Sequence, residues 1–161
     1  MSAFSNFFSK SNSKKVLSFD GGGVRAIAGL VFLHKLEVES GRKVSDMFDM
    51  FVGVSAGALN ALCLGVNQMS AKEIKDYWST DYIEEITSSN FFWDKASIIQ
   101  ARPKYENTGR IEVLKRICYD KSLEDSPKPV MTLDYDVENR SYVIHSSFGT
   151  PGISIISACC A

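Results

Sequence analysis

Gly53-Val54-Ser55-Ala56-Gly57 sets one serine between two glycines, each two positions away. That spacing suits a nucleophile carried on a turn too sharp for side chains at the flanking positions. A strained backbone at the serine would hold Oγ clear of its surroundings, at the start of a helix whose dipole favours negative charge. A tight turn in a packed α/β core would use the same small residues, so the pentapeptide needs support. Asp20-Gly21-Gly22-Gly23-Val24-Arg25 supplies it. Consecutive glycines leave backbone N–H groups bare and aimed at one spot, which makes an anion nest or an oxyanion hole. Acyl transfer needs both parts, a nucleophile and donors for the developing oxyanion. The rival is phosphate binding, because Gly21-x-Gly23-x-x-Ala26 imitates a dinucleotide fingerprint. That motif wants an acidic residue at the end of the second strand, where this chain has Val54-Ser55.

The elements around these residues must position them. Val16 to Phe19 reads as a short strand leading into the glycines, and Val24 to Ser40 as an amphipathic helix. Its expected buried stripe is Ile27, Leu30, Val31, Leu33 and Leu36. Gly41 with Arg42 and Lys43 ends that helix. Asp49 to Val54 reads as a second strand, and the small apolar run Ala56 to Val66 as a buried helix. Ser70-Ala71-Lys72-Glu73 is a capping box that starts another. From Asp81 to Arg102 periodicity weakens, with Ile83, Ile86, Phe91, Phe92, Trp93, Ile98 and Ile99 among polar residues; helices on the sheet or a lipid-contacting lid would both fit. Thr108 to Tyr119 has helical spacing. Val130 to Val137 and Ser141 to Ser147 read as a strand pair, and Ile153 to Ala161 as a strand or a helix start. Strands alternating with helices imply an α/β fold with a largely parallel sheet.

Asp-Gly-Gly-Gly-x-Arg, followed by Phe48-Asp49 leading into Gly-x-Ser-x-Gly, resembles the patatin-like phospholipases. The likeness runs on through Pro103-Lys104-Tyr105, the helix near Glu112 to Ile117, Lys128-Pro129-Val130 and Ile155-Ile156-Ser157-Ala158. It implies a three-layer α/β/α sandwich around a largely parallel sheet, incomplete at its C-terminus. It also implies a serine lipid acyl hydrolase of phospholipase A type, with Ser55 as nucleophile and Gly21, Gly22 and Gly23 as the oxyanion hole. Asp20, Arg25, Gly53 and Gly57 would support them. The family's base is an aspartate in a later Asp-Gly-Gly or Asp-Gly-Ala, forming a Ser–Asp dyad. Asp-Gly occurs here once, at Asp20-Gly21, so the chain reads as an N-terminal portion of such a domain, with residues 1–14 as a flexible leader. No metal or organic cofactor is implied, since dyad and oxyanion hole cover the proton and charge work. The implied partner is a phospholipid or other glycerolipid at a membrane or micelle surface. A decayed member that binds lipid or a partner without turnover is the alternative.

Composition narrows the classes further. A formal charge of −1 without a basic stripe argues against nucleic acid as a partner. Cys63, Cys118, Cys159 and Cys160 show neither metal-ligand spacing nor a disulfide framework. Reduced core cysteines at 63 and 118 fit a cytoplasmic protein, in peripheral contact with membrane. The leader carries Phe4, Phe7 and Phe8 ahead of Lys10, Lys14 and Lys15, the reverse of a secretory signal and compatible with an interfacial foot. Of the residues that could serve Ser55 as a base, His34 falls mid-helix and His145 within a strand. Asp134 and Asp136 share one face of a strand, which reads as a solvated face or sheet end. Asp20 is expected to hold the glycine loop through backbone hydrogen bonds. Arg25 could bind a phosphate, cap the helix or pair with a carboxylate.

Overall fold

The computed structural model describes residues 13–78, 114–117, 121–136 and 138–160. Strand β1 (Val16–Phe19) leads through a 3₁₀ turn (Gly23–Ala26) into helix α1 (Ile27–Ser40), followed by the single turn α2 (Val44–Met47). Strand β2 (Met50–Val54), helix α3 (Ala56–Gly65) and helix α4 (Ala71–Tyr77) come next. Strands β3 (Val130–Asp136) and β4 (Ser141–Ser146) form a hairpin, and helix α5 (Ile155–Cys160) closes the described chain. The sheet order is β1-β2-β3-β4. The first three strands are parallel and β4 is antiparallel, so the expected largely parallel sheet is present.

Register explains where the core sits. Phe19, Gly53, Thr132 and His145 form one row across the sheet, and Phe51 lies opposite Val130. Period-two alternation sends these residues to one face. That face is covered by helices: Gly29 of α1 sits over the Phe19 ring, Gly65 of α3 packs on Val130 and Phe51, and the Thr132 hydroxyl donates to the Ala158 carbonyl of α5 at 3.4 Å. Leu30, Leu33, Leu62, Leu64, Ile74, Leu123 and Ile155 complete a continuous buried cluster. On the opposite face Val16 is 53% exposed, Val54 37%, Tyr135 49%, Tyr142 76% and Ile144 54%, and no described helix covers them.

Helix α1 departs from its expected stripe. Leu30, Leu33 and Leu36 are buried as expected, but Val31 is 53% exposed and shares the outer surface with Phe32 and Val38. The helix is apolar around most of its circumference, so composition could not choose the inward ridge; α4, the helix it packs on most, chooses it by contact. Its C-terminus follows the expected pattern, with Gly41 left-handed at φ 65° and its N–H donating to the Glu37 carbonyl at 2.9 Å. The Glu37 side chain does more. One carboxylate oxygen accepts the Val44 N–H at 3.0 Å and the other the Ala71 N–H at 2.9 Å. Both are first-turn donors that α2 and α4 cannot satisfy internally, so one carboxylate fastens two helix starts. The Ser70–Glu73 capping box is present with both reciprocal bonds. The open choice at residues 153–161 resolves as helix, started by the Ser154 hydroxyl accepting the Ser157 N–H at 3.1 Å.

The leader residues 1–12, the lid-or-helix stretch and Pro103-Lys104-Tyr105 lie outside the described residues, as does Cys118. Of the Thr108–Tyr119 helix only 114–117 is described; it is helical, with Leu114 and Ile117 buried. Cys63 is buried.

Candidate active site

The chain between β2 and α3 turns within one residue. Ser55 holds φ 55° and ψ −130°, outside the regions an L-residue prefers, at a cost of about 1–3 kcal/mol. The neighbouring glycines make the turn sterically possible. A Cβ at Gly53 would run into the Gly57 carbonyl and come within 2.7 Å of the Ala58 Cα. A Cβ at Gly57 would meet the Phe19 and Asp20 carbonyl oxygens at 2.5 and 2.7 Å. Gly57 therefore lets the first turn of α3 touch the end of β1. Helical bonding begins at once, with the Ala58 N–H donating to the Ser55 carbonyl at 2.8 Å. Ser55 is exposed, and its hydroxyl has no hydrogen-bond partner among the described residues.

The glycine loop lies directly against this serine. A Cβ at Gly21 would sit 3.1 Å from the Ser55 Cβ and 3.8 Å from its Oγ. Gly22 at φ 140° and Gly23 at φ 58° turn the backbone over as the 3₁₀ turn begins. The N–H groups of Gly21, Gly22 and Gly23 have no acceptor among the described residues. Free donors beside an exposed serine, at the N-terminal ends of two helical segments, are suited to developing negative charge. Of the two supporting residues at the loop, Arg25 takes the task expected of Asp20. Asp20 is exposed and makes no hydrogen bond to the loop among the described residues. Arg25 turns back instead: its backbone N–H and its Nε reach the Gly22 carbonyl at 3.3 and 3.4 Å. A cation three residues downstream reaches that carbonyl easily.

One level below, Asn60 of α3 is fully buried. Its Nδ2 donates to the Ala26 carbonyl at 3.2 Å, and its Oδ1 accepts the Trp78 Nε1–H at 3.0 Å. Sequence reading passed over it inside an apolar run. A lone amide in such a run is itself a signal, because a buried amide needs partners. Asp49 anchors the other end of β2. Its carboxylate accepts the Lys15 N–H at 2.9 Å, which lowers its pKa, with Lys14 and Lys128 adding attraction.

The remaining titratable residues divide clearly. His34 sits on α1 near Asp76 of α4, away from the elbow. Asp136 faces a turn, accepting the Asn139 and Glu138 N–H groups at 3.0 and 2.9 Å, and these bonds lower its pKa, the Asn139 bond most. Asp134 is not on a solvated face: its side chain is 8% exposed and lies 3.6 Å from His145 Nε2, itself 13% exposed. The hairpin creates this pair, because Thr132 lies opposite His145 and sets Asp134 diagonally beside it. Burial pushes the Asp134 carboxyl up, against a smaller downward pull from His145. A carboxyl raised in the native state binds a proton the unfolded chain has released. Stability therefore falls as pH rises from the ordinary aspartate value, 3.8, through the raised one. Asp134→Asn should remove that fall. In thermal melts the variant should gain on wild type between pH 4 and pH 7, and parallel curves would contradict the assignment. Asp134 follows Leu133, the register partner of Val54, so it lies at the same end of the sheet as Ser55, without a hydrogen bond to it among the described residues.

No group of three metal-ligating side chains occurs among the described residues, and no helix there is long and apolar enough to cross a membrane. The sequence model of the family described as "Patatin-like phospholipase" matches residues 17–161. Patatin-like protein 4 of Arabidopsis thaliana is 30% identical over 154 residues, covering 85% of this chain and 37% of that protein. Calcium-independent phospholipase A2-gamma of Homo sapiens is 36% identical over 69 residues, covering 43% of this chain and 9% of that protein. The chain thus spans well under half the length of these relatives. Among solved structures, the type III effector protein ExoU superposes with a TM-score of 0.57 at 15% identity, covering 91% of this chain and 38% of that one. At that identity the likeness concerns the fold.

Proposed function

From the premise that this chain belongs to the patatin-like phospholipase family, we propose that it carries the nucleophile and oxyanion hole of a serine lipid acyl hydrolase of phospholipase A type. The observation that carries the reading is Ser55 at φ 55°, exposed, with Gly21 packed against it. Ser55 Oγ attacks the ester carbonyl of a glycerolipid and gives its proton to a base. The carbonyl oxygen becomes an oxyanion held by N–H groups of Gly21 to Gly23. The tetrahedral intermediate expels the alcohol, which takes the proton from the protonated base. Water, deprotonated by the same base, then attacks the acyl-serine and releases the fatty acid. The family resemblance assigns that base to an aspartate in a later Asp-Gly-Gly or Asp-Gly-Ala, whereas the Asp-Gly of this sequence, Asp20-Gly21, belongs to the glycine loop. The substrate places the protein at a membrane or micelle surface, approached from the cytoplasm. Gly53 and Gly57 support the elbow, and Arg25 supports the loop.

One observation favours a second reading, a lipid- or partner-binding member without turnover: no described residue hydrogen-bonds the Ser55 hydroxyl. Gly22→Ala separates the two. At φ 140° an alanine is strained even though its Cβ would find space, with the Arg25 side chain 3.6 Å away. The loop must shift, so p-nitrophenyl ester turnover should fall roughly 10²–10³-fold, the scale of one lost oxyanion donor, while KM changes far less. Wild-type protein that binds the ester without turning it over, with a Gly22→Ala variant that loses only that binding, would point to the second reading instead.

A further inference from the structure

Resting on that reading, we infer that Asn60 is a positioning residue that sets the glycine loop against Ser55. Asn60 lies on α3, the helix that starts at the serine, and is fully buried. Its Nδ2 donates at 3.2 Å to the carbonyl of Ala26, the last residue of the 3₁₀ turn carrying Gly23 to Arg25. Ala26 is also the residue on which α1 starts. The loop that contains the oxyanion donors is therefore held at two points. Upstream, Gly57 lets α3 touch the Phe19 and Asp20 carbonyls; downstream, Asn60 grips Ala26. Between the two grips the backbone has only Gly21 and Gly22 before the turn, which itself opens on Gly23, and Gly22 and Gly23 hold positive φ. Such a segment has little stiffness of its own, so its anchors determine where its N–H groups point. Both anchors belong to the helix that carries the nucleophile. Donors and serine thus share one rigid reference, which is what preorganisation of an oxyanion hole requires.

The second bond of Asn60 is its internal control. Trp78, at the end of α4, donates Nε1–H to Asn60 Oδ1 at 3.0 Å. Trp78→Phe removes that donor and keeps an aromatic ring, so it loosens α4 without touching the Ala26 grip. Asn60→Ala removes both bonds. Asn60→Asp, nearly isosteric, keeps the acceptor for Trp78 and turns only the donor facing Ala26 into an acceptor. It serves as the second variant should the alanine protein fail to fold.

The experiment has two readouts on residues 1–161: the rate of covalent labelling of Ser55 by a fluorophosphonate, and the amide NMR signals of Gly22 and Gly23. The expected result is a fall in labelling rate of about 10²-fold in the Asn60 variants, the scale of an ångström-sized misplacement. Both glycine amide signals should move in those variants, and Trp78→Phe should change neither readout. If wild-type Ser55 does not label without its base, the amide signals alone decide the grip; wild-type Ser55 that stays unlabelled in a chain carrying the aspartate would instead sink the hydrolase reading. Glycine signals that stay put in a folded Asn60 variant would overturn the inference. So would signals that move equally in Trp78→Phe, because Asn60 would then be a packing residue and not a positioning one.

Discussion

Ser55→Ala is expected to erase ester hydrolysis, on the order of 10⁴-fold or more, when made in a chain that also carries an aspartate base. Only Oγ is lost. The remaining oxyanion donors could still bind a polarised carbonyl, which accounts for any small residual rate. The fold should survive, because the Ser55 hydroxyl makes no hydrogen bond among the described residues. The turn is held by the Gly53 and Gly57 approaches, which alanine at position 55 leaves intact. In residues 1–161 themselves the same variant should lose all fluorophosphonate labelling. A folded Ser55→Ala protein that keeps most of its activity would reject the nucleophile assignment.

Residues 1–161 alone are expected to turn over phospholipid very slowly, about 10²–10⁴-fold below a full-length relative, the usual worth of a positioned general base. A serine hydroxyl is a feeble nucleophile near neutral pH without one. His34 faces α4, Asp136 is spent on a turn, and Asp20 forms no bond with the loop or the serine among the described residues. Asp134 lies at the correct end of the sheet, but it is engaged with His145 and is not bonded to Ser55. The measurement is fatty-acid release from mixed phospholipid micelles. Robust Ser55-dependent release would overturn the expectation, and Asp134 would be the first residue to replace.

The parts of this site that were legible in the sequence are those whose causes are local. Gly53 and Gly57 are required by a turn five residues long, and Gly41 and the Ser70–Glu73 box by helix ends, so spacing alone identifies them. Features set by distant pairing were not legible. Asp134 reads as a solvated strand residue until the β3–β4 register brings His145 beside it. The inward ridge of α1 is chosen by neighbours, which is why Val31 was misplaced in the buried stripe. Arg25, not Asp20, holds the loop, because the bond is made to a carbonyl, at Gly22, and the Arg25 side chain is a donor. Asn60 stood in plain view as the one amide of an apolar helix, but its partners, Ala26 and Trp78, come from separate segments.

The order of the strands also fixes a timetable. Asp136 pairs with Ser141 across a short turn, so the β3–β4 hairpin can close within microseconds. The elbow strand has no such neighbour. Phe51 must wait for Val130, and the Lys15–Asp49 bonds that seat β2 on β1 span α1 and α2. Long-range parallel pairing is intrinsically slow, because a large loop must close before any contact rewards it. During synthesis, residues 51–54 leave the ribosome well before residues 130–133, their partners on one side. Until those arrive, nothing on that side of β2 obliges Ser55 to hold its strained angles. The elbow serine is made early and strained late, so a nascent chain carries an ordinary serine while its sheet is still unassembled.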